Sequence, residues 1–174
     1  MKRYLLGLFL LVLAHTASAQ RFAYVDTEYI LGHMPEYKSA LSQMETVSKE
    51  WQKQVDANFS EIDKMYKAYQ ADQVLLTDEM RKRRENEIIE KEKQAKEYQR
   101  LKFGPEGDLF QLRSKLLKPV QEKVSTTVRT LARAKNLDFV FDKGNDATMI
   151  YASSSFDISN EVITKLGYKP GQRQ

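Results

Sequence analysis

From Tyr37 to Tyr69, apolar side chains recur every three or four residues, through Leu41, Met44, Val47, Trp51, Val55, Phe59, Ile62 and Tyr66. The spacing averages between the coiled-coil repeat and that of a free helix, and predicts one long helix with a narrow apolar stripe. No glycine or proline interrupts Glu36 to Arg100, and the weak point is near Gln73 to Thr77. There the Thr77 hydroxyl can cap a new helix, and Asp78 and Glu79 place negative charge in its first turn. The pattern predicts an antiparallel hairpin, outward from about Pro35 to Ala71 and back from Asp78 to Phe103. The outward helix would be about 55 Å long, too long for the interior of a compact domain, so the hairpin should project. The return helix is poorer in apolar residues, with Met80, Ile88, Ala95, Tyr98 and Leu101 as its stripe. Pairs such as Glu87 with Lys91 and Glu92 with Lys96 support it as a solvated helix.

The flanks read differently. FAYVD at 22–26 is aromatic and β-branched, a strand, and Asp26 or Thr27 can cap a short helix through Leu31 that Gly32 ends. Pro35 suits the first position of the next helix. Beyond the hairpin, Leu109–Leu117 and then Pro119–Lys135 carry a helical stripe, with Asn136 as a left-handed cap. LDFVFD at 137–142, a turn at Gly144, Asn145 and Asp146, and ATMIYA at 147–152 predict a β-hairpin. Asp157 can cap a last short helix ended by Gly167, and the tail from Tyr168 should fray. The fold class is α+β: a small β-rich body at 20–34 and 108–174, split around a helical arm at 35–107. So small a core needs help, and oligomerisation is the expected remedy.

KFGPEGDLF at 102–110 interrupts the helical pattern. Proline inside a helix costs about 3 kcal/mol and glycine about 1, so the chain should break there. Gly104 can end the return helix in a left-handed turn, and Asp108 can cap the next. Gly104, Pro105 and Gly107 are candidate hinge residues, either a fixed corner or an elbow.

Composition narrows the functional classes. Lys2 and Arg3, the apolar block from Tyr4 to Ala14, and Ala17-Ser18-Ala19 read as a secretory signal peptide cleaved after Ala19, so the chain is expected to be exported. The formal charge of +4 owes two units to Lys2 and Arg3, so the remainder is charge-dense but nearly balanced. There is no cysteine, and His33 is the one histidine beyond residue 19. Thiolate sites, redox pairs, multi-histidine metal sites and hydrolytic triads are thereby removed; no catalytic residue, metal ligand or cofactor site is assigned, and the chain reads as a non-enzyme.

The opening FAYVDTEYILGHMPEY, the charged hairpin and the closing LARAKNLDFVFDKGNDATMIYASSSFDISNEVITKLG resemble the Skp (OmpH) family of periplasmic chaperones. The resemblance implies a homotrimer whose β-rich bodies assemble and whose three helical arms enclose a cavity. It further implies that the cavity holds unfolded outer-membrane β-barrel proteins, without ATP, before membrane insertion. The Gly-Pro break at KFGPEGDLF departs from the better-known enterobacterial pattern.

Within that reading the candidate client-binding residues are Phe59, Met65, Tyr66, Tyr69, Leu75, Leu76 and Met80, since thioethers and aromatics re-pack on varied partners. The simpler reading of Phe59, Tyr66 and Tyr69 is that they hold the two helices together. Met65 and the residues near the turn fit client contact better. RKRR at 81–84 could meet lipid phosphates, but glutamates follow at 85, 87, 90 and 92, as on a solvated face. At most it supports a weak contact with anionic membrane or lipopolysaccharide; nucleic acid is disfavoured. A coiled-coil structural adaptor of the cell envelope is the alternative function.

Overall fold

The computed structural model describes residues 20–144 and 149–171. The signal-peptide segment and the Asn145–Asp146 turn lie outside the described residues. The elements in chain order are β1 (Phe22–Val25), α1 (Thr27–Gly32), α2 (Pro35–Asp72), α3 (Asp78–Phe103), α4 (Asp108–Ala134), β2 (Phe139–Asp142), a 3-10 turn (Ser154–Phe156) and α5 (Ser159–Lys165). Two compact units divide the chain: Met34–Glu122, and the residues up to His33 together with those from Lys123 onward. The division falls inside α4, so residues 108–122 group with the helical hairpin, not with the sheet.

In the first unit, α2 and α3 pack as the two arms of the hairpin. Val55 and Ile62 on α2, and Ile88 and Ala95 on α3, are buried at intervals of seven residues, the repeat of a coiled-coil seam. Ala40 is buried instead of the expected Leu41, which faces solvent. Polar contacts flank the seam: the Tyr66 hydroxyl donates to Glu92 at 3.0 Å, and Lys91 Nζ lies 3.0 Å from Glu61 Oε1. The Thr77 side chain caps α3 by accepting from the Met80 amide. Thr77→Ala should cost about 1 kcal/mol, seen as faster amide exchange in the first turn of α3 and not in α2.

The second unit is held by a sheet much smaller than the sequence predicts. β1 and β2 run parallel, pairing Phe22 with Phe139 through Val25 with Asp142. Among the described residues the predicted antiparallel hairpin is not seen: Met149–Ala152 carries no strand, and β2 pairs instead with the strand near the start of the chain. On its other side Tyr24 bridges to Asp157, and the Ile158 amide donates to the Tyr24 carbonyl at 3.0 Å. Ala23, Tyr24 and Val25 are buried with Ile30 of α1 and Ile158, Val162 and Ile163 at α5, and α1 packs on α5.

Local chemistry sets the boundaries. Asp26 caps α1 through the Tyr29 amide. Asn136 has φ 52°, and the Leu137 and Asn136 amides bond back to Ala132 and Arg133, closing α4 in a Schellman turn. Gly167, at φ 90°, closes α5 the same way. Three expectations change. Pro119 sits inside one continuous α4, on its exposed side, where the carbonyl it leaves unbonded can meet water. Ile158 rather than Asp157 occupies the cap position of α5, while the Asp157 carboxylate accepts from the Ser159 amide and hydroxyl. The tail is pinned through Gly171 rather than frayed, since the Gly171 amide donates to His33.

Candidate functional site

The sequence-derived client residues fall into two groups. Phe59, Met65 and Tyr69 pack against the Ile62, Ile88 and Ala95 core, so they build the hairpin as well as its surface. Tyr66 lies beside the seam and is 39% exposed. Its phenol and that of Tyr69, bonded to Glu92 and Glu85, are pushed above the usual tyrosine range, first by the carboxylate acceptors and then by partial desolvation. Both rings are thereby tethered by their hydroxyls while remaining partly exposed.

The residues of the hairpin turn are different. Leu75 is 81% exposed and Met80 52%, while Leu76 is half-buried. Val74, at 89%, belongs with them and is absent from the sequence-derived set. The signal was available: Val74-Leu75-Leu76 is an apolar run in the turn itself, where neither helix can bury it. The turn is held by the Leu75 amide on the Asp72 carbonyl at 2.8 Å. The Val74 and Leu75 side chains therefore stand exposed on a formed turn, between two helices whose other exposed residues are mostly charged or amide-bearing.

Next to this tip, Met65 lines a shallow groove with Glu79, Lys82, Arg83 and Asn86. The charges there are mixed. Arg81 pairs with Asp78 at 3.7 Å and Arg84 with Glu87 at 3.9 Å, so RKRR is partly neutralised by its own helix. Such exposed pairs contribute little to stability, but they lower the local positive field. Among the described residues no helix is long and apolar enough to cross a membrane, and no group of three or more potential metal ligands occurs.

The candidate hinge is a closed turn. The Gly104 amide donates to Arg100 at 2.8 Å, the Gly107 amide to Gly104 at 2.9 Å, and the Gln111 amide to Gly107 at 3.1 Å. Gly104 is extended, with φ −64° and ψ 170°, not left-handed as the sequence suggests. Asp108 is the first residue of α4 rather than its cap, and its carboxylate pairs with Lys102. The Lys102 ammonium also lies 4.9 Å from the Trp51 ring centre and 5.6 Å from that of Tyr98, while Phe103 meets Trp51 edge-on. One cation thus ties the end of α3 to the start of α4 and to the aromatic residues beside it.

Comparison with known proteins bears on these features. The family model described as outer membrane protein (OmpH-like) matches residues 21–166. The fold is similar to the crystal structure of a candidate outer membrane chaperone (OmpH-like) from Caulobacter crescentus CB15. The TM-score is 0.68 at 14% identity, covering 87% of this chain and 86% of that one. No curated protein matches the chain. The family match extends from the residue before β1 to the residue after α5, across both units, and the chain belongs to the OmpH-like outer membrane protein family.

Proposed function

We propose that the protein is an ATP-independent holdase chaperone of the periplasm. It binds unfolded outer-membrane β-barrel proteins between the helical hairpins of a homotrimer and keeps them from aggregating before membrane insertion. The observation that carries the reading is the exposed apolar run at the hairpin tip, Val74 and Leu75 with Met80 beside it, on a chain of the OmpH-like family. An aliphatic and thioether surface of this kind, free of directional polar groups, suits many weak contacts with partners of varied sequence. Unfolded barrel proteins offer matching chemistry, since their strands carry an apolar outer band and unpaired edges.

The test is aggregation of an outer-membrane barrel protein diluted from urea. Wild type should suppress light scattering at about one trimer per client, and no suppression at excess would defeat the proposal. Val74→Ser with Leu75→Ser should raise the concentration needed for half suppression about tenfold, from the loss of about 1–2 kcal/mol of apolar contact, with α-helical content unchanged. Pull-down from envelope extracts separates the alternative: many barrel proteins support the holdase, and a single stoichiometric partner indicates a structural adaptor. Sedimentation reads the trimer directly, and a stable monomer would remove the enclosing arrangement.

A further inference from the structure

The end of the described chain is held by a histidine in a way that depends on the charge of the ring. His33 Nδ1 lies 2.8 Å from the Tyr29 carbonyl oxygen, which can only accept, so this nitrogen carries the proton and donates. On the opposite side, the Gly171 amide donates to His33 Nε2 at 3.0 Å, which requires a lone pair there. The two contacts together specify the neutral Nδ1-protonated ring. The Tyr29 hydroxyl adds a second tie to the tail by donating to the Gly171 carbonyl at 3.0 Å, and it lies 3.2 Å from Asn160 Oδ1. The Tyr29 and His33 rings meet edge-on with centres 4.5 Å apart, fixing the imidazole plane. A Cβ at position 171 would lie 2.9 Å from Nε2, so the close approach needs glycine.

We infer that His33 is a proton-operated clasp, closed on the C-terminal tail while its ring is neutral and opened when the ring takes up a second proton. Protonation places an N–H on Nε2, facing the N–H of Gly171. Donor then meets donor, and the tie is lost. Histidine is the side chain that changes charge between about pH 5 and 8, so a titration across that interval tests the clasp.

Among the described residues, the groups seen to meet the ring include the Tyr29 phenol and carbonyl from α1 and the Gly171 amide from the tail. Charged residues on the neighbouring elements include, among the described residues, Glu28 on α1, Glu161 and Lys165 on α5, Lys169 in the tail, and Glu36 and Lys38, three and five residues beyond His33 in sequence. Glu161 is engaged by Lys135 at 2.8 Å. The Tyr29 hydroxyl donates to the Gly171 carbonyl independently of the imidazole, so that tie stays while the amide tie fails. The tail should therefore loosen by one hydrogen bond rather than leave outright.

The experiment is an NMR titration of the untagged protein from pH 8 to 5, in which ring nitrogen shifts report His33, the one histidine beyond residue 19, and the amide shift and relaxation report Gly171. At high pH the ring should show a protonated Nδ1 and an unprotonated Nε2. As the ring titrates, the closed-to-open ratio at Gly171 should fall about fivefold, the worth of one net hydrogen bond. His33→Gln, whose side-chain oxygen can accept from Gly171 at any pH, should abolish this transition. Gly171→Ala, at an exposed position where folding is not at stake, should free the ring from its single tautomer even at pH 8. A Gly171 signal indifferent to the ring's titration, or the same transition in His33→Gln, would overturn the inference.

Discussion

Ile163→Ala should destabilise the sheet-bearing unit by about 2–5 kcal/mol. Ile163 is wholly buried, as are Ile30 and Val162, and these three make up much of a core whose described residues form two four-residue strands. The lost transfer energy adds to that of a cavity that few neighbours are free to fill. Urea unfolding followed by amide NMR resolves the result: resonances of β1 and α5 should vanish well before those of the α2–α3 seam. Ile150→Ala is the matched control, since Ile150 is 96% exposed; it should change stability by less than about 0.5 kcal/mol. Equal midpoints for Ile163→Ala and wild type would show that the core re-packs around the loss.

Gly104→Ala should open the corner between α3 and α4, costing about 1–3 kcal/mol as overpacking against a fixed atom. A Cβ there would sit 2.4 Å from the Arg100 carbonyl oxygen, the acceptor that ends α3. A backbone atom cannot rotate away as a side chain can. Relief requires breaking the Gly104 to Arg100 bond, which displaces Lys102 from Asp108 and from the Trp51 and Tyr98 rings. Trp51 fluorescence is a built-in reporter, as the protein has a single tryptophan, and its emission should shift with the loss of stability. Gly107→Ala should behave alike, its Cβ falling 2.7 Å from the Leu101 carbonyl, whereas Gly32→Ala meets nothing within 4 Å and should be tolerated. The geometry favours a fixed corner over an elbow. Spin labels on α3 and α4 flanking the corner should give one narrow distance in wild type and a broad one in Gly104→Ala; a broad wild-type distribution would restore the elbow.

Where the physics is local, the residues announced the structure. Thr77 has its hydroxyl within reach of Met80, Asn136 tolerates a left-handed backbone, and the seven-residue spacing of Val55 and Ile62 needs only one partner stripe; all are read within a few positions. β2 failed that test. Its best local partner was ATMIYA, across a Gly-Asn-Asp turn, yet it pairs with residues at the other end of the chain, because parallel strands need a crossover and here the crossover is the whole helical hairpin. Pro119 misled for the opposite reason: its local cost is real, but the buried Leu117, Val120 and Val124 on one face of α4 outweigh it. At the candidate site the aromatic stripe was visible, but spacing alone could not tell seam from surface. Phe59 and Tyr69 share a stripe with Ile62, and only the partner helix decides how much of each ring remains exposed.

The parallel pairing of β1 with β2 also orders events in time. Arg21 and Asp138, bonded at the mouth of the sheet, are 117 residues apart in sequence. Closing so long a loop forfeits chain entropy before any strand contact is gained, whereas α2 and α3 need only a short turn between them. The hairpin can therefore assemble early and by itself, and in doing so it shortens the span the two strands must bridge. Until the last part of the chain is in place, β1 has no partner and its buried face is open to water, so the newly made protein passes through a stage in which it is itself prone to aggregate.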